Sequence, residues 1–90
     1  MIKILLIILC TLSLNAKHLY KEKVYQEHFC KQFGGITEYR LKDKTRVDCL
    51  LNDYAIEVDF AQKWAESIGQ SLYYASQTSR KAAVLLIMED

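Results

Sequence analysis

A tight two-residue turn at Asn52-Asp53 constrains this chain more than any other feature of its sequence. Asn and Asp both tolerate positive φ, so they favour a short loop between two strands. After the turn, residues 54–60 alternate polar and apolar side chains with the period of a half-buried strand. The pattern therefore predicts a hairpin in which residues 45–51 pair with residues 54–60.

The turn also determines which side chains of the two strands face each other. If it forms the loop, Leu51 pairs with Tyr54, and counting back from that pair places Asp48 opposite Glu57. Facing residues, and residues two apart along a strand, share one face of a sheet. The charged side chains are therefore predicted to share one face: Arg46, Asp48, Glu57 and Asp59. The small apolar side chains are predicted to share the other: Val47, Cys49, Ile56 and Val58.

Upstream of the hairpin, the chain carries the patterns of one helix and one further strand. Residues 18–33 place Tyr25, Phe29 and Phe33 at helical spacing, and Gly34-Gly35 is a typical signal for a helix end. Residues 36–42 predict a strand that ends at a polar turn, Asp43-Lys44.

Downstream of the hairpin, residues 61–76 predict a second helix and residues 82–88 an apolar strand. The expected buried stripe of this helix is Trp64, Ile68, Leu72 and Ala75. A right-handed crossover through this helix would make the last strand parallel to residues 54–60. The order α-β-β-β-α-β predicts an α/β protein of the α+β type, with helices packed on one mixed sheet.

The first residues have the layout of a secretory signal peptide. A basic start at Lys3 precedes an apolar run over residues 4–14, and Asn15-Ala16 offers a small residue for cleavage. The run is shorter than the about 20 apolar residues that a membrane span needs. We therefore predict a signal peptide over residues 1–16 and a single domain over residues 17–90. The mature chain would be periplasmic or extracellular, without stable membrane insertion; an uncleaved anchor is the alternative.

Export bears on Cys30 and Cys49, the two cysteines that remain after cleavage. An oxidising compartment and a small domain favour a disulfide between them, and two buried thiols are the alternative. The formal net charge of the whole chain is only +1. Overall charge alone therefore does not bind nucleic acid here, and any contact with DNA requires a local patch or a metal ion.

Asp48 and Glu57 carry the chemistry that this arrangement predicts. Two facing carboxylates repel each other unless a positive group lies between them. Mg²⁺ takes hard oxygen ligands, and it can activate water beside a phosphate. A pair between Arg46 and Asp59 on the same face would orient the ligands. An exposed face of mutually offsetting charges is the alternative.

The hairpin resembles the motif of the PD-(D/E)XK nuclease superfamily. That superfamily has an α-β-β-β-α-β core, with an Asp on the second strand and (D/E)-x-K on the third. Asp48 and Glu57 match the two acidic positions. Asp59 stands where the motif has lysine, and Val47 stands where the motif's name has proline.

The resemblance implies a restriction-endonuclease-like core and a DNA nuclease that uses Mg²⁺, with Mn²⁺ as a substitute. RecB-like exonucleases of the superfamily add Q-x-x-x-Y on the following helix, and Gln70 and Tyr74 match this spacing. Both residues, with Arg46, are expected to contact the substrate strand. The resemblance leaves endonuclease and exonuclease action open, and it leaves a homodimer open beside a monomer.

The missing motif lysine has a candidate replacement. In several members the lysine moves to the next helix, which makes Lys63 the expected catalytic lysine here. Asp59 is then either a third metal ligand or an orienting group. Members often carry a glutamate on the first helix, for which Glu22 and Glu27 are both candidates.

Two other functions compete with the nuclease. One is a catalytically inactive module of the same fold that binds a protein or nucleic acid. The other is a small disulfide-stapled structural protein of the envelope, in which Asp48 would have no role.

Overall fold

The computed structural model describes residues 18–89, so the predicted signal peptide lies outside the described residues. The elements follow the predicted order, with ends that differ from the predictions by a few residues. They are helix α1 (Glu22–Gln32), strands β1 (Ile36–Arg40), β2 (Arg46–Leu50) and β3 (Tyr54–Phe60), a 3₁₀ turn (Ala61–Lys63), helix α2 (Trp64–Thr78) and strand β4 (Lys81–Ile87). Within residues 18–89, no helix is long and apolar enough to cross a bilayer.

The four strands form one mixed sheet in the order β1-β2-β3-β4. The first three strands are antiparallel, and β4 runs parallel to β3, as the crossover predicts. The hairpin register is the predicted one: Cys49 faces Ile56, and the Leu51 amide donates to the Tyr54 carbonyl at 2.9 Å. Two helices and a four-stranded mixed sheet make this an α+β protein.

Helix α1 ends at the predicted glycine pair. Gly34 has φ of 71°, and the Gly35 amide donates to the Cys30 carbonyl at 2.9 Å, which closes the last turn in the manner of a Schellman motif. The structure joins Cys30 and Cys49 in a disulfide with a Cα–Cα distance of 5.6 Å. A Cβ on Gly35 would lie 2.7 and 2.8 Å from the two sulfur atoms, so only glycine fits beside the disulfide.

The buried side chains form two clusters. The cluster that contains the disulfide also packs against Tyr25 and Phe29 of α1; its members are Cys30, Cys49, Ile56, Val58, Phe60 and Ile87. The smaller cluster involves α2; its members are Val47, Leu50, Ala55 and Tyr74. The prediction that Val47 shares a face with Cys49 is therefore wrong. The strict alternation of side-chain direction along β2 breaks near Asp48, where the pairing with β3 stops.

The predicted buried stripe of α2 is also wrong, except at Ala75. Trp64, Ile68 and Leu72 are 56%, 45% and 59% exposed. The residues that α2 buries are small or polar: Ser67, Ser71, Tyr74 and Ala75. The physical reason lies in the sheet, because carboxylates on this side of β3 need hydrogen-bond donors above them. On α1, the predicted stripe holds for Tyr25 and Phe29 and fails for Phe33, which is 58% exposed.

Candidate active site

Strands β2 and β3 separate at Asp48 and Glu57. Their paired residues end at Cys49 and Ile56, and beyond that point side chains replace the ladder. The Val58 amide donates to Asp48 Oδ2 at 2.8 Å, and the Asp48 amide approaches Glu57 Oε1 at 3.4 Å. In a continuous ladder these amides would bond to carbonyls of the partner strand. The two carboxyl groups thus come together between the strands.

The environment of this pair disfavours negative charge. Burial and, second to it, the neighbouring charge of Asp48 raise the pKa of Glu57 to about 8. Burial also raises the pKa of Asp48, although the hydrogen bond from the Val58 amide opposes the increase. A hydrogen bond between the two side chains favours a proton on Glu57 and a charge on Asp48. The pair therefore holds a proton at neutral pH unless a cation replaces it.

Helix α1 adds a third acidic group, Glu22. Burial and then the charges of Asp59 and Asp48 raise its pKa to about 7, although Lys63 opposes the increase. Of the two predicted candidates on α1, the structure brings Glu22 to the site. Glu27 instead pairs with Lys23 at 3.8 Å on the exposed side of the helix.

Asp59 is buried, and it holds the start of α2 against β3. Its Oδ1 accepts a hydrogen bond from the Phe60 amide, and its Oδ2 accepts one from the Ser67 hydroxyl, both at 3.0 Å. Both oxygens of Asp59 are therefore engaged by the fold, and each keeps a second lone pair.

The predicted pair between Arg46 and Asp59 is wrong. Arg46 approaches Glu38 of β1 at 3.9 Å instead. The reason is that β2 leaves β3 before the two residues can face each other, while it stays paired with β1 up to Arg40 and Arg46. Arg46 therefore lies beside the site, on the β1 side.

Sequence reasoning missed Gln26, which supports the site from α1. Its side-chain amide donates to the Asp48 carbonyl at 3.0 Å and to Glu38 Oε2 at 3.1 Å. Gln26 is only 4% exposed, so these bonds satisfy a buried polar group. The available signal was its position one helical turn after Glu22, which places both side chains on one face of α1.

The remaining predicted residues lie around the pair. Lys63 is exposed in the 3₁₀ turn and lines, with Glu22, a cavity of about 350 Å³. Tyr74 is buried, and its pKa is raised by burial and then by the charge of Glu57, which places it near the pair. Gln70 lies one turn earlier on α2 and is exposed.

The side chains of the pair fit a hard divalent cation. Mg²⁺ usually takes one or two protein carboxylates and completes its shell with water and phosphate oxygens. Within residues 18–89, no group of three or more His, Cys, Asp or Glu side chains is arranged to hold a metal ion. Comparisons with protein-family models, with curated proteins and with solved structures found no match.

Proposed function

We propose that this protein is an exported Mg²⁺-dependent nuclease that hydrolyses phosphodiester bonds in DNA. One observation carries the proposal: Asp48 and Glu57 meet where two strands of a sheet separate, in surroundings that raise the pKa of both. The two facing carboxyl groups, Glu57 buried and Asp48 half-buried, disfavour each other's charge, and a cation between them would offset this. The strand order and the parallel β4 also fit a restriction-endonuclease-like core.

In this proposal, Asp48 and Glu57 hold Mg²⁺, or Mn²⁺ in its place. The bound ion supplies an activated water and offsets negative charge on the scissile phosphate. The Val58 amide fixes the orientation of the Asp48 carboxylate, so the pair is positioned before a cation arrives. Glu57 would hold the ion as a carboxylate, so its proton would be released to solvent on binding, and the ion would compensate the charge that burial disfavours.

The surrounding residues take the supporting roles. Lys63 is the proposed catalytic lysine, because it lines the same cavity as Glu22 and an ammonium group can stabilise charge on a phosphate. Asp59 positions α2 through Ser67. The substrate strand is proposed to contact the side chains that surround the pair: Arg46, Gln70 and Tyr74.

The proposal is tested by plasmid cleavage with purified mature protein, with and without Mg²⁺. Asp48→Asn and Glu57→Gln should each reduce the cleavage rate by more than about a hundredfold. Loss of a residue that only supports a metal ligand costs at most about a hundredfold, so a larger loss indicates a ligand. Glu27→Gln is the matched control, because it makes the same chemical change at an exposed glutamate. Circular dichroism checks that each variant folds.

Mg²⁺-dependent cleavage that survives both substitutions at the pair would contradict the assignment of the site. A folded wild-type protein that cleaves no DNA with Mg²⁺ or Mn²⁺ would contradict the proposed activity. That second result would favour an inactive binding module or an envelope structural protein.

A further inference from the structure

The positive charge that the acidic site lacks is concentrated in the turn between β1 and β2. Residues 40–46 contain four basic side chains and one acidic side chain. The basic ones, all exposed, are Arg40, Lys42, Lys44 and Arg46. Among residues 18–89, Arg46 is the one member of this set that forms a salt bridge. The turn therefore presents uncompensated positive charge to solvent.

This turn forms one wall of a cleft of about 570 Å³. The opposite wall comes from the end of α2 and the residues that follow it. The side chains that matter for recognition are Tyr39, Arg40 and Lys42 on the first wall, and Tyr73, Gln77 and Arg80 on the second.

Asp43 connects the two walls of the cleft through hydrogen bonds. Its carboxylate accepts hydrogen bonds from the Thr45 amide at 3.0 Å and from the Tyr73 hydroxyl of α2. Hydrogen bonds lower the pKa of Asp43, mainly the one from the Thr45 side chain, so this group stays ionised. The single negative charge of the turn thus accepts hydrogen bonds from neutral donors. The basic side chains of the turn remain available to bind an anion.

Arg80 supplies a fixed positive charge on the second wall. Its Nε donates to the Leu51 carbonyl at 2.6 Å, and its Nη1 donates to the Thr78 carbonyl at 3.0 Å. Both partners are neutral, so the guanidinium keeps its charge while its orientation is fixed. Such a group suits a phosphate, which arginine binds through its remaining N–H donors.

Two tyrosines add flat apolar surface to the cleft. Tyr39 is 39% exposed and Tyr73 is 43% exposed. Unpaired bases stack on exposed aromatic rings, whereas the bases of a duplex are already stacked on each other. Basic groups together with exposed tyrosines therefore favour a single strand over a duplex.

The cleft lies next to the acidic pair. Tyr39, on the first wall of the cleft, pairs with Val47 of β2, which directly precedes Asp48. We infer that the cleft binds the backbone and bases of single-stranded DNA and leads the strand to Asp48 and Glu57. The second half of this inference rests on the proposed nuclease function.

The test measures fluorescence anisotropy of a short labelled oligothymidylate in EDTA, so that binding is observed without cleavage. The double variant Arg40→Gln/Lys42→Gln should bind about tenfold more weakly than wild type at moderate salt. The slope of log affinity against log salt should fall by about 1.4, since each lost contact with a single strand removes about 0.7. Lys23→Gln/Lys31→Gln on α1 is the matched control for the change in charge, and it should leave affinity and slope almost unchanged.

Tyr39→Ala tests the stacking, and it is tolerable because β1 is an edge strand. It should weaken oligothymidylate binding by about tenfold and leave binding of a matched duplex unchanged. Equal losses in the cleft variant and the α1 control would overturn the inference, as would a duplex that binds as tightly as the single strand. The assay measures binding and not cleavage. A cleft that binds no single strand therefore gives a different result from a protein that binds DNA but does not cleave it.

Discussion

The two sides of the sheet are built from different chemistry. On the α1 side, the disulfide and apolar side chains such as Ile56 and Val58 form a continuous apolar layer. On the α2 side, the helix buries two serines: the Ser67 hydroxyl donates to the carboxylate of Asp59, and the Ser71 hydroxyl donates to the Ile68 carbonyl. The difference indicates that stability comes mainly from the α1 layer, which leaves the α2 layer free to carry charged groups that a fold does not need.

Helix α2 is attached partly by Tyr74, which packs with Val47 and Leu50, and partly by hydrogen bonds. Hydrogen bonds such as that from Ser67 to Asp59 replace part of the usual packing, and the apolar stripe of the helix faces solvent. The cost appears in the raised pKa of Glu57. A layer that disfavours its own charges is one in which a cation or a proton is bound readily.

The largest expected effect is the loss of the disulfide on the α1 side. Cys30→Ala/Cys49→Ala should lower the free energy of unfolding by about 3 kcal/mol, because the bond closes a loop with a sequence separation of 19 residues. Urea unfolding measures the change. A reducing agent should destabilise the wild type by a similar amount and leave the double variant unaffected. A reduced wild type that is as stable as the oxidised one would remove the basis for assigning stability to this layer.

The next effect concerns pH and belongs to the α2 side. The folded pKa of Glu57, about 8, lies above its ordinary value of 4.5, so the folded state binds a proton more tightly than the unfolded state. Stability is therefore full at low pH and is lost as the pH rises through about 8. In EDTA, the Tm should fall by roughly 5 to 10 °C between mildly acidic and mildly basic pH. Glu22, with a folded pKa of about 7, acts in the same direction.

Variants on the two sides should separate this pH effect from general stability. Glu57→Gln should make the decrease of the Tm with pH smaller, because the group that loses its proton is gone. Val58→Ala on the α1 side should lower the Tm at every pH without changing the slope. A Tm that rises with pH in EDTA would contradict the charge assignment. Addition of Mg²⁺ at basic pH should raise the wild-type Tm if the pair binds the ion.

The features that could be predicted from sequence are those that depend on local chemistry. The turn at Asn52-Asp53 needs residues that tolerate positive φ, and it correctly places Cys49 opposite Ile56. The helix end at Gly34 and the parallel β4 follow from similarly local or general rules. The turn also predicts that Asp48 faces Glu57, but in the structure the two meet beyond the last paired residues, where the Val58 amide donates to the Asp48 side chain.

The features that could not be predicted depend on contacts between distant elements. The separation of β2 from β3 coincides with Gln26 of α1 bonding to the Asp48 carbonyl and to Glu38. Glu38 itself adopts a φ of 53°, which a strand pattern does not indicate. Once the strands separate, Arg46 no longer faces Asp59, so the predicted pair fails.

The smallest expected effect is that of Ile68→Ala on α2, measured against the same substitution at Ile56 on β3. Hydrophobic periodicity assigns Ile68 to the core of α2, but it is 45% exposed, whereas Ile56 on β3 is 5% exposed. Ile56→Ala should lower the free energy of unfolding by about 3 kcal/mol, and Ile68→Ala by no more than about 0.5 kcal/mol. Alanine also favours a helix slightly more than isoleucine does, which reduces the second loss further. Urea unfolding of both variants gives the ratio directly. Equal losses would mean that α2 packs through its apolar stripe, and the contrast between a stabilising layer and a charged layer would not hold.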